Sequence, residues 1–395
     1  MKILNIISSM DPSTGGLPQV IRSLVPGLKK LEIESEVVCL DSVEPNYGIK
    51  DDFTIHALGK GKGAWYYNPT LFTWLINNIA NYDAVIIHGL WQYPGFAAYR
   101  AFKYLISHKR KVPKLYVMPH GMLDPYFQKA PDRKLKAIRN WFYWKLIEKK
   151  AINFADGLFF TCEEEMILAR KTFRPYHPKT ELNIGYGIVE PPPYTSAMGD
   201  AFLKIYPQAK EQKYLLFLSR IHKKKGIENL INAYVQISKK GFNNLPMLVV
   251  AGPCLENSYK EKITAIVNSH PILKKNVFFS GMLSGDAKWG AFYNCEAFVL
   301  PSHQENFGIA VAEALACGKQ VLISNQVNIW REIEGSQAGL VEDDTIEGTK
   351  TLLVKWLAMD GETKVVISEN AKRCFLKYFT VEHSVKMIYK AISKV

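Results

Sequence analysis

The sequence predicts an α/β protein built from two Rossmann-like domains that face each other across a cleft. Short apolar runs alternate along the chain with longer amphipathic stretches, which is typical of repeated β-α units. The apolar runs are continuous rather than alternating, as expected for parallel strands that are buried on both faces. A proline-rich break at residues 183–194 divides the 395 residues into halves of similar size, each with its own strands. Because such sheets bind ligands at the carboxyl ends of their strands, we expect the functional residues there.

The apolar runs define ten predicted strands. Those of the first half are residues 3–7, 37–40, 84–88, 115–118 and 158–160. Those of the second half are residues 214–218, 248–251, 277–279, 298–300 and 321–323. Helical spacing predicts amphipathic helices between them, such as 18–30, 226–239 and 310–317. The break at 183–194 holds two glycines and three consecutive prolines. Since proline disfavours helix before it and cannot donate to a sheet, this break is predicted to be a linker.

Composition excludes several classes of protein. Aromatic residues make up 12% of the chain, which argues against disorder. No apolar run approaches the roughly 20 residues that span a bilayer, and the first one is too short for a signal peptide, so we expect a cytoplasmic protein. The six cysteines are scattered without a C-x-x-C pair, which favours neither a zinc site nor a disulfide framework.

The net charge of +13 is concentrated in one segment. Residues 101–150 carry thirteen Lys or Arg against three Asp or Glu. This excess is either a solvated face or a surface for an anionic partner. The chain has no helix-turn-helix, zinc or RNA-recognition signature, so nucleic acid is not an expected partner. Within the segment, the helical spacing of Leu135, Ile138 and Trp141 or Phe142 favours core packing, whereas the Lys/Arg face is suited to peripheral contact with anionic lipid.

The first candidate motif is the paired glycine Gly15-Gly16, which lies between the first strand and the first helix. A strand, a glycine loop and a helix N-terminus can together bind an anion. The loop lacks both G-x-G-x-x-G and the P-loop pattern. The pair is therefore either an anion site or a tight turn.

The second motif opens the second half of the chain. Arg220 follows the strand 214–218, and Lys225 lies five residues later at a predicted helix start. A guanidinium and an ammonium so placed can converge on a diphosphate. The alternative is a solvated basic loop, which fits Lys223 and Lys224 well.

The third motif carries the most chemistry. A strand ends at Pro301, a polar loop holds Glu305, and a helix begins near Gly308 and ends before Gly318 in the C′ position. Glu313 falls in the middle of this otherwise apolar helix, where a carboxylate needs a partner. Two carboxylates spaced E-x7-E at such a junction suit the hydroxyls of a sugar and a ribose.

These motifs, together with the segment that begins His120-Gly121-Met122 and ends at Pro125, give the chain its resemblance to a known family. It resembles the retaining glycosyltransferases of family 4, which have the GT-B fold, and is most similar to members that build exopolysaccharide or other surface glycans. The resemblance covers nearly the whole chain, and E-x7-E is the family's signature. One departure follows the linker, where the family usually has Asn-Gly and this chain has Ile184-Gly185-Tyr186-Gly187.

The resemblance implies a division of labour between domains. Residues 1–185 would form the acceptor-side domain and 186–373 the nucleotide-sugar domain, with 374–395 a helix packing back on the first domain. Arg220 and Lys225 would hold the donor diphosphate, Glu313 the ribose and Glu305 the sugar hydroxyls.

The remaining expected contacts are with the sugar, the base and the acceptor. His120, at the end of the strand 115–118, would face the donor sugar near the reacting carbon. Gly16, beside Gly15, would approach the phosphates or the acceptor. His88, the last residue of the strand 84–88, and Trp91, which follows it, are acceptor candidates, although Trp91 is equally consistent with an ordinary half-buried tryptophan. Backbone groups would meet the base and the sugar at Gly252, Pro253, Met282, Leu283, Asn306, Phe307 and Gly308.

The implied reaction is metal-independent transfer of a hexose to a glycan or lipid-linked glycan, with retention of configuration. No Asp-x-Asp follows a strand, so neither a metal nor a cofactor is expected beyond the nucleotide-sugar co-substrate. UDP-glucose is the preferred donor, and GDP-mannose is the nearest alternative. Two other functions stay open, namely a nucleotide-sugar epimerase of similar fold and a non-catalytic protein that binds nucleotide sugars or a membrane surface.

Overall fold

The computed structural model describes residues 1–130, 133–239 and 245–393. It divides the chain into two compact units, Met1–Gly187 with Thr380–Val395 and Ile188–Phe379. Positions 131–132 of the basic segment and 394–395 of the C-terminal segment lie outside the described residues.

Among its described residues, the first unit contains seven parallel strands and seven α-helices that precede the linker. The strands are β1 Lys2–Ile6, β2 Glu34–Cys39, β3 Ile55–Ala57, β4 Ala84–His88, β5 Lys114–Met118, β6 Gly157–Phe160 and β7 Glu181–Asn183. The helices are α1 Gly16–Lys30, α2 Pro69–Asn78, α3 Tyr93–Ser107, α4 Tyr126–Lys129, α5 Lys134–Tyr143, α6 Lys149–Phe154 and α7 Glu163–Thr172. One π-helical turn, Trp144–Glu148, joins α5 to α6. The strands form one sheet in the order β3-β2-β1-β4-β5-β6-β7.

The second unit repeats this plan with six parallel strands. They are β8 Tyr214–Leu218, β9 Met247–Ala251, β10 Val277–Gly281, β11 Ala297–Leu300, β12 Val321–Ser324 and β13 Gly339–Glu342. The helices are α8 Ser196–Ile205, α9 Ile227–Lys239, α10 Asn257–Ser269, α11 Pro271–Asn276, α12 Gly285–Asn294, α13 Ile309–Ala316, α14 Trp330–Gly335, α15 Ile346–Ala358 and α16 Gly361–Tyr378. The sheet order is β10-β9-β8-β11-β12-β13.

All ten predicted strands are confirmed, and three more were missed. Most of the ten were found because their apolar runs are buried in the interior of a sheet. β10 is an edge strand with only half-buried or exposed residues, but its apolar run at 277–279 still identified it. The missed strands β3, β7 and β13 also lie at sheet edges, and their residues are only half-buried. These three lack the continuous apolar run on which the prediction depended.

The last helix, α17 Val381–Ser393, belongs to the first unit. It packs on α1 at Gly27, where an added Cβ would lie 2.5 Å from Val381 Cγ1. Tyr116 Oη also donates a hydrogen bond to the carbonyl of Ala391, at 2.9 Å. The boundaries between the two units lie at 187/188 and 379/380. They fall slightly later in the chain than the predicted boundaries at 185/186 and 373/374. A boundary at 373/374 would cut α16, which runs without a break to Tyr378.

The strand order positions the functional residues. In both sheets the order reverses between two central strands, β1 and β4 in the first and β8 and β11 in the second. A crevice opens at such a switch point, outside the carboxyl ends of the strands. Gly15, His88 and His120 follow strands β1, β4 and β5, and Arg220 and Glu305 follow β8 and β11.

The interpretation of the α5 stripe as core packing is wrong. Leu135 is 84%, Ile138 56%, Trp141 49% and Phe142 54% exposed. The buried residues of α5 are Asn140 and Tyr143 instead. Helical periodicity identifies an apolar face, but it does not say whether anything covers that face. Among the described residues, no helix is both long enough and apolar enough to cross a bilayer.

Candidate active site

The segment after β8 is fixed by its neighbours at the carboxyl edge of the sheet. The N–H of Ser219 donates to the carbonyl of Ala251 at 3.0 Å, and the N–H of Ile221 donates to the carbonyl of Pro253 at 2.9 Å. Gly252 has a φ of 134°, and a Cβ there would lie 1.9 Å from the Ser219 carbonyl oxygen. The two backbones can therefore approach so closely only with glycine at 252. Arg220 lies in the middle of this segment with its side chain exposed.

Lys225 is held inside a tight turn. The N–H of Lys224 donates to His222 Nδ1 at 3.1 Å. Gly226, with φ 69°, closes the turn where a Cβ would collide with the Pro301 carbonyl oxygen at 1.8 Å. Lys225 is only 8% exposed, and its Nζ donates to Glu305 Oε2. Because Lys225 follows β8 and Glu305 follows β11, this ion pair spans the switch point of the sheet.

The backbone around Glu305 is anchored by the segment after β12. The N–H of Glu305 donates to the carbonyl of Gln326 at 2.9 Å, and the N–H of Asn328 donates to the Glu305 carbonyl at 3.0 Å. Asn306 and Phe307 lead from there to Gly308, which has φ 81° and is the N-cap of α13. No described side chain caps this helix, and its first turn carries no acidic residue. The N–H of Val311 donates to the Gly308 carbonyl, which leaves the first two N–H groups of the helix for a ligand.

Glu313 has the partner that its position in α13 required. Its Oε1 accepts a hydrogen bond from Lys288 Nζ on α12 at 2.6 Å. Burial raises the pKa of Glu313, and the charge and hydrogen bond of Lys288 oppose that rise. Lys288 also lies 4.5 Å from the ring centroid of Trp289. The need for a partner was predicted, but sequence spacing gave no means of finding Lys288 itself.

The residues predicted to meet the base line one groove. Its volume is about 390 Å³, and Gly252, Pro253 and Met282 all contribute to it. Ile221 and Phe279 also line it and were not predicted. Leu283 lies beside Met282 in sequence but is buried rather than exposed in the groove.

In the first unit, the switch point carries a chain of neutral polar groups. His88 Nε2 lies 3.0 Å from Asn5 Oδ1, and His88 Nδ1 lies 3.1 Å from His120 Nε2. Asn5 Nδ2 donates to Ser35 Oγ at 2.8 Å and to the Glu36 carbonyl at 3.2 Å. Asn5 was not predicted, because a lone asparagine inside an apolar strand gives no signal of a partner far along the chain.

The hydrogen bonds of this chain determine its tautomers. Burial lowers the pKa of His120 to about 3 and that of His88 well below its usual value, so both rings are neutral. Since the Asn5 amide nitrogen donates to a carbonyl, its oxygen must accept from His88 Nε2. His88 Nδ1 is then an acceptor, and His120 must donate from Nε2. His120 Nδ1 is left as a bare acceptor that is buried, and none of the described residues provides it with a partner.

The paired glycines lie in a loop fixed by Asp41. Ser9 Oγ donates to Asp41 Oδ1 at 2.6 Å, and the N–H of Met10 donates to Asp41 Oδ2 at 2.8 Å. Gly15 has φ 119° and is the N-cap of α1. A Cβ at Gly16 would lie 3.2 Å from the hydroxyl of Tyr186, so this tyrosine packs beside the loop.

Trp91 is half-buried and held by a buried carboxylate. Its N–H donates to Glu148 Oε2 at 3.1 Å, and its own φ is 68°. Glu148 is 2% exposed, and burial raises its pKa to about 8. It belongs to the π-helical turn, an irregularity that periodicity does not predict.

The acidic residues Glu342, Asp343 and Asp344 follow one another in the sequence but make separate structural contacts. Glu342 ends β13, Asp343 Oδ1 accepts a hydrogen bond from Asn325 Nδ2 at 2.6 Å, and Asp344 Oδ2 lies 2.8 Å from His303 Nδ1. Within residues 1–130, 133–239 and 245–393, no three His, Cys, Asp or Glu side chains are grouped to hold a metal ion. Metal independence remains a prediction.

Two family models match the chain, one in each unit. The model for Glycosyltransferase Family 4 matches residues 14–179, and that for Glycosyl transferases group 1 matches residues 200–374. Together these ranges account for most of the sequence. The chain belongs to the glycosyltransferases of family 4.

Curated relatives agree with this assignment. The serotype-specific mannosyltransferase WbdA of Escherichia coli is 25% identical over 174 residues, which are 41% of this chain and 21% of WbdA. This chain thus matches about one fifth of the length of that relative. The capsular polysaccharide biosynthesis glycosyltransferase CapM of Staphylococcus aureus is 29% identical over 158 residues, 40% of each chain.

A solved structure resembles the whole chain. HepE of Anabaena, in complex with UDP, is 16% identical with a TM-score of 0.73, and all of both chains is covered. The likeness at this identity concerns the fold. The predicted fold class, α/β of the GT-B type with two Rossmann-like domains, is confirmed.

Proposed function

We propose that the chain transfers a hexose, with retention of configuration, from UDP-glucose to a glycan or lipid-linked glycan in polysaccharide biosynthesis. The observation that carries this proposal is the Lys225–Glu305 ion pair at the β8/β11 switch point. Arg220 is exposed in the same segment after β8. A buried ammonium and an exposed guanidinium on one such segment are suited to a diphosphate. Membership of family 4 supports glycosyl transfer as the chemistry performed there.

The two cations stabilise the leaving group. As the bond between the sugar and the diphosphate breaks, negative charge grows on the phosphate oxygen. Preorganised charge at that point typically contributes more to the rate than any other effect. Arg220 can bind as a fork and Lys225 as a point charge. In the free enzyme, Glu305 holds Lys225 in place, and we propose that it then binds hydroxyls of the donor sugar.

The nucleoside binds in the second unit. The groove that contains Gly252, Pro253 and Met282 accepts the base. Glu313 accepts hydrogen bonds from the ribose hydroxyls, for which it must be ionised. Lys288 supplies the positive charge that opposes the effect of burial on this carboxylate.

We propose that His120 contacts the donor sugar through its bare Nδ1, which is buried in the free chain and must become accessible when the donor binds. This atom can only accept, so its partner is a hydroxyl that donates a hydrogen bond. A neutral imidazole also adds no positive charge beside the sugar carbon as that carbon becomes electron-poor. Asn5 and His88 act as positioning residues, because they set the tautomer of His120.

We propose a same-face substitution as the chemical step. The bond from the sugar C1 to the phosphate oxygen breaks, and the acceptor oxygen forms its bond to C1 on the same face. The acceptor hydroxyl proton passes to the departing phosphate oxygen. Configuration is retained without a covalent enzyme intermediate.

The donor assignment is supported by HepE, whose structures include one with UDP-glucose. The likeness to the mannosyltransferase WbdA favours mannose as the second candidate sugar, carried by GDP. We further propose that the Lys/Arg face of the helical stretch 133–150 makes peripheral contact with the anionic inner face of the membrane.

Incubation with UDP-glucose, GDP-mannose and ADP-glucose, each analysed by NMR, tests the proposed function. We expect slow release of free sugar and UDP from UDP-glucose, with the α-configuration of the first-formed sugar kept. A first-formed β-anomer would contradict retention. Formation of the 2-epimer would identify an epimerase, and binding without turnover of any donor would identify a non-catalytic protein.

A further inference from the structure

The first unit contains a second groove that the proposed reaction does not use. Its volume is about 700 Å³, within the range of small-molecule sites, roughly 300 to 1,000 Å³. Three segments form its walls: the stretch before α2 with Trp65 and Tyr67, α3 with Phe96 and Arg100, and the helical stretch with Arg139, Phe142 and Leu146. We call it the aromatic groove.

The lining of the aromatic groove consists mainly of aromatic and aliphatic side chains, several of which stack on or meet one another. Trp65 stacks on Tyr143 with ring centroids 4.6 Å apart and planes 13° apart. Tyr67 meets Tyr93 edge-on, with centroids 4.8 Å apart. Trp65, Tyr67, Phe142 and Leu146 are all exposed despite their size. Contiguous exposed apolar surface of this kind typically marks a binding site.

The charge of the lining is entirely positive. Of the described residues along the groove, the charged ones are Arg100 and Arg139. The Arg139 guanidinium lies 5.7 Å from the Trp65 ring centroid, and that of Arg100 lies 5.0 Å from the Phe72 centroid. These stacking contacts hold both cations against the apolar surface. A ligand that complements the groove therefore combines an apolar part with an anionic part.

The groove continues towards the acceptor candidates of the same unit. Tyr143, which lines it, also meets Trp91 edge-on with centroids 6.2 Å apart. Trp91 lies three residues after His88 in the segment that follows β4. An occupant of the groove could thus present its polar end near these residues.

We propose that the aromatic groove binds the apolar chain of one lipid molecule that carries a phosphate or diphosphate head, with Arg139 and Arg100 contacting that head. The concave shape of the groove and the two guanidinium groups in its lining favour one lipid chain as the ligand over a flat membrane face. This inference rests on the proposed function, since it makes the acceptor a glycan on a lipid phosphate.

Binding of decyl phosphate below its micelle concentration, measured by calorimetry on the whole chain, tests the inference. Phe142 lines the groove, whereas Trp141, its equally exposed neighbour on α5, does not. We expect Phe142→Ser and, as a second variant, Leu146→Ser to weaken binding about tenfold, and Trp141→Ser to leave it unchanged. Arg139→Gln should weaken decyl phosphate but not decanol, with Lys136→Gln as its matched control.

Several results would overturn the inference. One is the absence of saturable decyl phosphate binding, and another is an equal effect of Phe142→Ser and Trp141→Ser. Phe142→Ser and Trp141→Ser could instead weaken binding to phosphatidylglycerol vesicles equally and leave the binding of decyl phosphate unchanged. That result would identify this face as a membrane-contacting surface. If the chain sediments as a dimer and both Phe142→Ser and Trp141→Ser dissociate that dimer, the occupant of the groove is a second copy of the chain. UDP-glucose turnover, followed in the same samples, fails only if the proposed function itself is wrong.

Discussion

The two sheets share one strand order around their switch points but place opposite chemistry there. In the first unit, Asn5, His88 and His120 form a chain of neutral hydrogen-bonding groups. In the second unit, Lys225 and Glu305 form an ion pair across β8 and β11. The switch point of the first unit therefore carries neutral groups, whereas that of the second unit carries charged groups.

The difference follows from burial and from what surrounds each group. The two imidazoles are enclosed by apolar strand ends, so burial lowers their pKa values and keeps them uncharged. Lys225 is buried too, but Glu305 compensates its charge. Neutral acceptors suit sugar hydroxyls, and cations suit a diphosphate. One fold can therefore assign these two tasks to its two halves.

The largest effect is expected at the charged switch point. Lys225→Ala should lower kcat/KM for UDP-glucose about 100- to 1,000-fold, because a preorganised positive charge at the leaving group is removed. Steady-state UDP release is the measurement. Lys223→Ala, an exposed lysine of the same turn, is the control and should stay near wild type. Similar losses in both variants would mean that the loop acts only through its general charge.

The neutral switch point should show an intermediate effect. His120→Phe is expected to lower kcat/KM about 10- to 100-fold, because a hydrogen bond to the sugar is lost. Asn5→Leu should have a smaller effect in the same direction. Nitrogen NMR provides the decisive readout, since His120 Nδ1 should resonate as an unprotonated ring nitrogen in wild type and partly as a protonated one in Asn5→Leu. A protonated Nδ1 in wild type would contradict the tautomer assignment.

A smaller effect is expected at the ribose site. Glu313→Gln should raise the KM for UDP-glucose about tenfold and change kcat little, because the ribose contact is made equally in ground and transition states. Initial-rate kinetics separate the two constants. Glu332→Gln is a matched control, a buried carboxylate of the same unit outside the candidate site. A fall in kcat with unchanged KM would place Glu313 in the chemical step instead.

A separate effect, on stability rather than on activity, concerns pH. The pKa of Glu148 is raised from 4.5 to about 8, so the folded chain holds a proton that the unfolded chain loses across that range. The free energy of unfolding should therefore fall as the pH rises from 4.5 to 8, by at most about 1.4 kcal/mol per pH unit. Glu148→Gln should remove this decline, which thermal unfolding of both proteins at several pH values would detect. Parallel curves would show that Glu148 does not titrate in this range.

Much of the fold was predictable because buried parallel strands have an unmistakable composition. β4 and β8, fully apolar except at one end, were found without error in their bounds. β3, with only three half-buried residues at a sheet edge, offered no such pattern. The apolar face of α5 was recognised, but its exposure was not predicted. Periodicity identifies an apolar face and gives no information on whether another element packs against it.

The candidate site was predictable where motifs are local and not where partners are distant. Glu305 and Glu313 stand eight positions apart on one strand–loop–helix junction, so their spacing is visible in sequence. Lys288, the partner of Glu313, lies on another helix and is one of many lysines. Asn5 meets His88 only because β1 and β4 are neighbours in the sheet.

Titration of UDP into the wild-type protein, Lys225→Ala and His120→Phe separates the tasks of the two units. UDP carries the diphosphate and nucleoside but no hexose, so it should report the second unit alone. We expect Lys225→Ala to weaken UDP binding at least about tenfold and His120→Phe to leave it at the wild-type affinity. Unchanged binding in Lys225→Ala, or an equal loss in His120→Phe, would contradict the division of tasks between the two units.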